Sequence, residues 1–504
     1  MARNEVKWGA ILSYILIIAN ALYGLAMAPF ILKCVGESEY GVYKTIGSMT
    51  ASLAVLDVGI GSTLQRYIAK FNALDDKKSS SNFSAMSFIQ VAVLSVLTAI
   101  CSVGLFFLIG NLYGNTFTEL ELVRSKQIFI IQAVYMVLHI FENACFGIIS
   151  GYNKFTFSNL IKIIMLICKI LAYVVLLPLF NNALVIVSVS LLIEVAVVVI
   201  ELFYIKFALK HSIHLYKWDK ALFKESFIYT VLLFIQTIII QFNGNIDNIV
   251  IGAVIGTSAV TLYSFAIQIF NMYEQCATAV SGVVLPTITN KIYAGATNKD
   301  LESIVVKFGR AQWAVLGAVL VGFIVCGQEF FYLWLGPDFN DAWYLSLILM
   351  IPVTFPLIVN VCLAILKVKN LLAFRTISLA YSVVINAILT IIGTRFFGYW
   401  AAAVGTSVAT IVGSILSMNI YYQKKLGINI FKLYLKIGKG TTLCMGLACI
   451  SSIILNYFFY GTIWSFVLKV SVFLIIYSAT LLLFGLNKYE KKQLFGRIRR
   501  RQVK

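Results

Sequence analysis

Fourteen stretches of this chain are each about twenty residues long or longer and almost wholly apolar. No other feature constrains its folding as strongly. A bilayer core about 30 Å thick is crossed by a helix of about 20 apolar residues. The runs lie near 8–33, 41–65, 84–110, 128–150, 159–180, 183–205, 225–247, 256–285, 311–335, 343–366, 371–394, 398–422, 438–459 and 463–485. Within lipid the backbone must satisfy its own polar groups, so runs of this length imply helices. Only 12% of the 504 residues are charged and 60% are hydrophobic, against about 25% charged in a soluble chain. The interruptions are short and polar, which excludes a large soluble catalytic domain, a disordered chain and a secreted disulfide scaffold. The expected class is an all-α integral membrane protein of about 14 transmembrane helices. The first run is too long for a signal-peptide core and reads as a retained span.

Charge placement orients the chain. The formal net charge is +19. With the N-terminus inside, 32 of the 40 lysines and arginines fall in alternate, cytoplasmic segments, five fall outside (Lys33, Lys44, Arg124, Lys126, Arg395) and three (Lys162, Lys169, Lys469) lie within spans. The positive-inside rule then places both termini in the cytoplasm, with an even number of spans. Anionic membrane lipids account for the surplus charge without nucleic acid, and the basic tail Arg497 to Lys504 reads as a membrane-surface anchor. The nine cysteines are scattered through apolar runs with no ligand spacing and read as small core residues.

The chain also repeats itself. Gly36-Glu-Ser38-Glu-Tyr40-Gly-Val-Tyr43 matches Gly256-Thr-Ser258-Ala-Val-Thr-Leu-Tyr263 at an offset of 220 residues, which carries span 1 onto span 7 and span 2 onto span 8. A six-span unit thus occurs twice, in parallel orientation. The expected organisation is a bundle over 1–205, a basic amphipathic cytoplasmic linker over 206–224, a second bundle over 225–422, two appended helices over 423–485 and a basic tail over 486–504. Two facing six-helix bundles are a transporter architecture with the substrate expected between them.

The residues Gly36 to Tyr43, Leu56-Asp57-Val-Gly59-Ile-Gly61 and Arg66, together with Asp247-Asn248-Ile-Val-Ile251-Gly252, Gly256 to Tyr263 and Pro286, resemble the polysaccharide transporter, or O-antigen flippase, family of the multidrug/oligosaccharidyl-lipid/polysaccharide superfamily. One departure is Thr261, where such proteins often place glycine. The resemblance spans runs 1 to 12. It implies two pseudo-symmetric, MATE-like six-helix bundles, a bacterial inner-membrane location, and movement of a polyprenyl-pyrophosphate-linked oligosaccharide to the outer leaflet by alternating access. H+ or Na+ is the expected coupling ion.

Ionisable side chains within spans are costly and usually face the bundle interior or a hydrated cavity. If the turn between spans 5 and 6 is centred between Asn181 and Asn182, Lys169 lies opposite Glu194 and Lys162 opposite Glu201. Two ion pairs, Lys169–Glu194 and Lys162–Glu201, are therefore expected. They either fasten the hairpin or release the lysines to hold pyrophosphate. Arg66, Lys307, Arg310 and Arg375, at cytoplasmic ends of spans, are further candidate phosphate ligands, since Arg offers paired donors; positive-inside placement alone also explains them. Gln236 and Asn243 in span 7, with Gln268, Asn271 and Gln275 in span 8, form polar stripes suited to sugar hydroxyls, or to packing between helices. Asp57, Glu142, Asp247 and Glu274 are the candidate gate or ion-coupling carboxylates. Pro29, Pro352 and Pro356 are expected to kink spans 1 and 10.

No cofactor or metal motif occurs. Gly438-Lys439 fails as a P-loop because Leu433 and Gly440 occupy the positions of the first glycine and the final Ser/Thr. Three histidines, His139, His211 and His214, form no zincin or triad pattern. The reading is a non-enzymatic flippase. The alternatives are an ion-coupled multidrug or small-solute antiporter, requiring a buried acidic site such as Asp57 or Asp247, and a polyprenyl-lipid transferase, for which Glu119 and Glu121 are the only external acids on offer.

Overall fold

The computed structural model describes residues 2–56, 59–281, 284–369, 371–458, 461–487 and 490–491. Among these the regular structure is entirely helical. The α-helices are α1 (Ala2–Ala51), α2 (Ile60–Ala73), α3 (Lys77–Tyr113), α4 (Glu119–Gly151), α5 (Phe155–Phe180), α6 (Leu184–Phe203), α7 (Lys220–Val254), α8 (Thr257–Ser281), α9 (Val284–Tyr293), α10 (Asn298–Leu335), α11 (Asn340–Ile358), α12 (Asn360–Val368), α13 (Ala373–Phe397), α14 (Trp400–Ala409), α15 (Met418–Leu426), α16 (Ile430–Gly438), α17 (Thr441–Phe458) and α18 (Ile463–Thr480). Ten of the described helical segments are long and apolar enough to cross a membrane, or eleven if α16 and α17, bent by 52°, make one span.

The side chains are distributed as lipid surroundings require. On α3 the buried positions include Ser80, Ser84, Ser87, Ser95, Thr98 and Ser102 beside Phe83, Met86, Val91, Ile109 and Tyr113, while Val93, Val96, Ile100, Val103 and Phe107 are exposed. On α13 the buried stripe is Ser378, Ser382, Asn386, Thr390 and Thr394, and the exposed face carries Ile377, Val384, Ile388, Ile391 and Ile392. Hydrocarbon offers no hydrophobic drive between helices, so small and polar residues line the contacts and aliphatic ones face outward. Ser378 and Ser382 donate to the carbonyls of Gly413 and Ala409 at 2.8 and 3.2 Å. α2 and α4 approach so closely at Gly61 and Gly147 that a Cβ on Gly147 would stand 2.5 Å from the Gly61 carbonyl oxygen.

Two compact units divide the chain, 1–261 and 262–504. α7 packs against α1 and α3, so it belongs to the first unit and the division falls one helix later than the 224/225 repeat boundary. The two turns of the repeat share a backbone device. Gly36 (φ +81°) interrupts α1 and Gly256 (φ +123°) separates α7 from α8, both in the left-handed region that glycine adopts at little cost. Near them Glu121, in the capping box that starts α4, accepts from Ser38 at 2.5 Å and from Thr257 at 2.7 Å. Thr261 donates to the Glu37 carbonyl at 2.7 Å, so its hydroxyl is used in this first-unit contact.

The linker expected over 206–224 is largely non-helical, and its last residues begin α7. After a π-helical turn at Tyr204–Ala208, residues 210–219 are non-helical and bonded to the start of α3. Tyr216 and Lys217 amides donate to Asn82 Oδ1, the His214 amide donates to Ser81 Oγ, and the Asn82 carboxamide donates to the Lys217 carbonyl. Alternating charge and apolarity in this stretch serves a strap with exposed Leu215, Tyr216 and Trp218 rather than a helical stripe.

Candidate functional site

In-span charges of the first unit converge from three helices. α6 carries Glu194 and Glu201, seven residues apart; α5 carries Lys162 and Lys169, also seven apart; α4 contributes His139 and Glu142, at i and i+3 on one face. The pairing differs from the expectation. Lys162 meets Glu142 at 3.0 Å, and Glu194 meets His139 Nδ1 at 2.9 Å. Neither Lys169–Glu194 nor Lys162–Glu201 forms an ion pair. The physical reason is that α6 lies along α4 as well as α5, so the α5–α6 register alone does not select the partners.

The remaining members are set in apolar and aromatic surroundings. Lys169 lies between the rings of Tyr23 and Tyr173, 5.9 and 5.7 Å from their centroids, and Lys162 lies 4.4 Å from the Phe146 centroid. Lysine over an aromatic face retains electrostatic stabilisation without a carboxylate. Glu201 is 0% exposed and its carboxyl makes no hydrogen bond. Three acids thus share two lysines and a histidine. Glu142, Glu194 and His139 bring one ligand atom each within 4.8 Å of one another, an N/O set that would admit a cation. The sequence reading did not place His139 among the site residues, although its i, i+3 relation to Glu142 was the available signal.

Other candidates divide by unit. In the first unit, Arg66 is exposed near the Tyr67 ring, Asp247 is buried and Asn243 is half-buried with an unbonded Oδ1. Asp57 and the Gln236 side chain lie outside the described residues, as does most of the basic tail. In the second unit, Asn271 and Gln275 are exposed on α8, with Gln268 partly so. Arg375 donates to Ser414 at 3.2 Å and interacts electrostatically with Glu274, while Lys307 is exposed beside Phe308.

Arg310 has a different place from a lumen cation. Its Nε and Nη2 donate to Glu490 at 2.8 and 3.2 Å, its Nη1 to the carbonyls of Lys436 and Lys439, and its Nη2 also to that of Gly485. Five donations engage the guanidinium, and they clamp the ends of α16 and the turn after α18. A second clamp ties α18 to α10: Lys469, 0% exposed, is paired with Glu329 and donates to Asn456 at 2.7 Å. Glu329 also accepts from the Gly461 amide and Ser465 hydroxyl at 2.8 and 2.9 Å.

Comparison with known proteins now adds to this geometry. Residues 6–291, more than half of the chain, match the family model described as "Polysaccharide biosynthesis protein". The chain belongs to that family. Within the polysaccharide biosynthesis protein family, a "Putative O-antigen transporter" of Salmonella typhi is 29% identical over 140 residues, 27% of this chain and 30% of that protein. Less than a third of the relative's length is therefore aligned. Among solved structures, "Lipid II flippase MurJ, inward closed conformation" superposes with a TM-score of 0.69 at 15% identity, over 94% of this chain and 98% of that one. An inward-facing MATE family multidrug transporter of the MOP superfamily gives 0.64 at 14% identity, over 83% and 95%. At such identity these likenesses establish the fold: a multi-pass helical membrane protein with the MurJ and MATE architecture.

Proposed function

We propose that this protein is a flippase that moves a polyprenyl-pyrophosphate-linked oligosaccharide, a unit of O-antigen, capsule or exopolysaccharide, from the cytoplasmic to the outer leaflet of a bacterial inner membrane by alternating access. Both termini and the strap lie in the cytoplasm on this reading, following the lysine and arginine distribution. The observation that carries it is the placement of Lys162 and Lys169, within an apolar first unit of a polysaccharide biosynthesis family member, beside carboxylates and aromatic rings that hold them without saturating them. The two lysines supply positive charge for pyrophosphate, and the exposed amides of α8 suit sugar hydroxyls.

Energy coupling follows from charge. A pyrophosphate headgroup with about two negative charges gains about 2.3 kcal/mol per charge per 100 mV when it moves outward across an inside-negative membrane. Glu142, Glu194 and Glu201 exceed their lysine partners by one, and His139 can offset that excess; an exchangeable H+ or Na+ at this cluster supplies the ionic part of the cycle.

Complementation of a gene deletion tests the assignment. Lys162→Ala, Lys169→Ala and Arg375→Ala combined should reduce surface glycan at least tenfold at equal protein abundance in the membrane. Arg310→Ala should lower abundance instead. Unchanged export by the triple variant removes the pyrophosphate site.

A further inference from the structure

At the end of the first unit that holds the strap, a cavity of about 670 Å³ opens between the α2–α3 turn, the α4–α5 turn and residues 209–212. It is separate from the charge cluster of α4, α5 and α6 in its lining residues. Asn72, Asp75, Lys77, Asn153, Lys210 and Ser212 supply its polar wall. The side chains of Asp75, Lys77, Asn153 and Lys210 make no hydrogen bond or ion pair with the described protein. Next to the cavity, Asn82 and Ser81 hold the strap, and Asp76 caps α3.

The wall is preorganised. Asp75, Asn153 and Lys210 have φ of +52°, +57° and +50°, so three separate connections each bring a left-handed residue to this one cavity. Asp and Asn adopt that region readily; a lysine does so only when its surroundings impose it. For Lys210 they do. The Leu209 amide donates to the Tyr204 carbonyl and the His211 amide to that of Ile205, while the His211 ring is fixed between Ser84 at 2.9 Å and Tyr152 at 3.0 Å. These contacts fix the backbone on either side of Lys210.

We infer that this cavity binds a phosphate-bearing polyol headgroup. Two ammonium groups and a carboxamide suit anionic phosphate oxygens, while the lone carboxylate of Asp75 suits hydroxyl donors and disfavours a bare anion. The volume lies within the range of about 300–1,000 Å³ usual for small-molecule sites. The same chemistry occurs in a glycerophosphate lipid headgroup and in a free sugar or glycerol phosphate. Exposed Phe207, Leu215 and Trp218 flank residues 209–212 along the same connection and suit a membrane interface, which favours the lipid. The inference stands independently of the transported cargo.

Native mass spectrometry of the full-length protein in mild detergent, titrated with phosphatidylglycerol and separately with phosphatidylcholine, tests it. The wild type should retain one phosphatidylglycerol selectively. Lys77→Gln with Lys210→Gln should weaken that binding roughly thirtyfold. Ala73→Trp, which fills the cavity without altering charge, should weaken it comparably. Lys206→Gln with Lys217→Gln, the same charge change on the strap outside the cavity, should leave it within about twofold. Equal loss in the strap variant, or normal binding by a folded Ala73→Trp protein, overturns the site in favour of diffuse surface attraction. Displacement of the lipid by millimolar glycerol 3-phosphate would assign the site to the free phosphate; retention assigns it to the lipid. A melting temperature unchanged from wild type certifies each variant as folded.

Discussion

Single side chains in this protein act by the partners they find in a medium that supplies none. Lys469 and Glu329 are buried together, and a buried pair stripped of one member leaves an uncompensated charge. Glu329→Ala should therefore cost about 3–5 kcal/mol, read as a clear drop in the melting temperature of detergent-purified protein, and Glu329→Leu with Lys469→Met should recover most of it. His211 gives a pH signature outside the spans. Burial holds its pKa down at about 4, against an ordinary value of 6.5. The unfolded chain thus takes up this proton first, so stability falls as pH drops from 6.5 towards 4 and is fully present above 6.5, with a total effect of at most about 3 kcal/mol. His211→Asn should flatten that portion of the stability profile; an unaltered slope would place the titration elsewhere. At this scale the sequence showed which charges fall within apolar runs but not whom they meet. Lys162 and Glu142 were visible as in-span ions, yet their pairing depends on α5 meeting α4. Arg310 looked like a cation at a cytoplasmic mouth because Lys436, Lys439, Gly485 and Glu490, which engage it, are more than 120 residues away.

Helices here are read more easily than the joints between them. Apolar length located the helical rods, and the Gly36 and Gly256 matches marked turns that share positive φ. Two features were less legible. The strap at 210–219 is basic and amphipathic in composition, but hydrogen bonds from its amides to Ser81 and Asn82 hold it in a non-helical path. The α16–α17 bend divides one expected apolar run over 438–459 near its start, at the left-handed Gly440. Close helix contacts depend on glycines that hydropathy does not register. Gly147→Val would drive a side chain into the Gly61 backbone, and overpacking of this kind costs typically 1–3 kcal/mol. It should lower folded yield in the membrane, whereas Gly104→Val, at a position with nothing within 4 Å, should be neutral by the same fluorescence size-exclusion assay.

The whole molecule combines the MurJ and MATE fold with membership of the polysaccharide biosynthesis protein family. Two structural consequences distinguish its parts. The two ionic clamps make α16 and α18 integral to the second unit, so these helices are fastened rather than loosely appended. Glu121, one of the two acids on which a transferase reading would rest, is engaged by Ser38, Thr257 and the α4 capping box, which gives it a structural task. The proposed function, transport of an anionic lipid-linked glycan, draws together the internal repeat, the in-span lysines and the basic segments between apolar runs. The most direct test is to delete the gene in its host and analyse polyprenyl-linked glycans in spheroplasts with a membrane-impermeant probe. The account predicts a complete oligosaccharide trapped on the cytoplasmic leaflet and missing from the cell surface. Normal lipid-linked intermediates together with normal surface polysaccharide would contradict it.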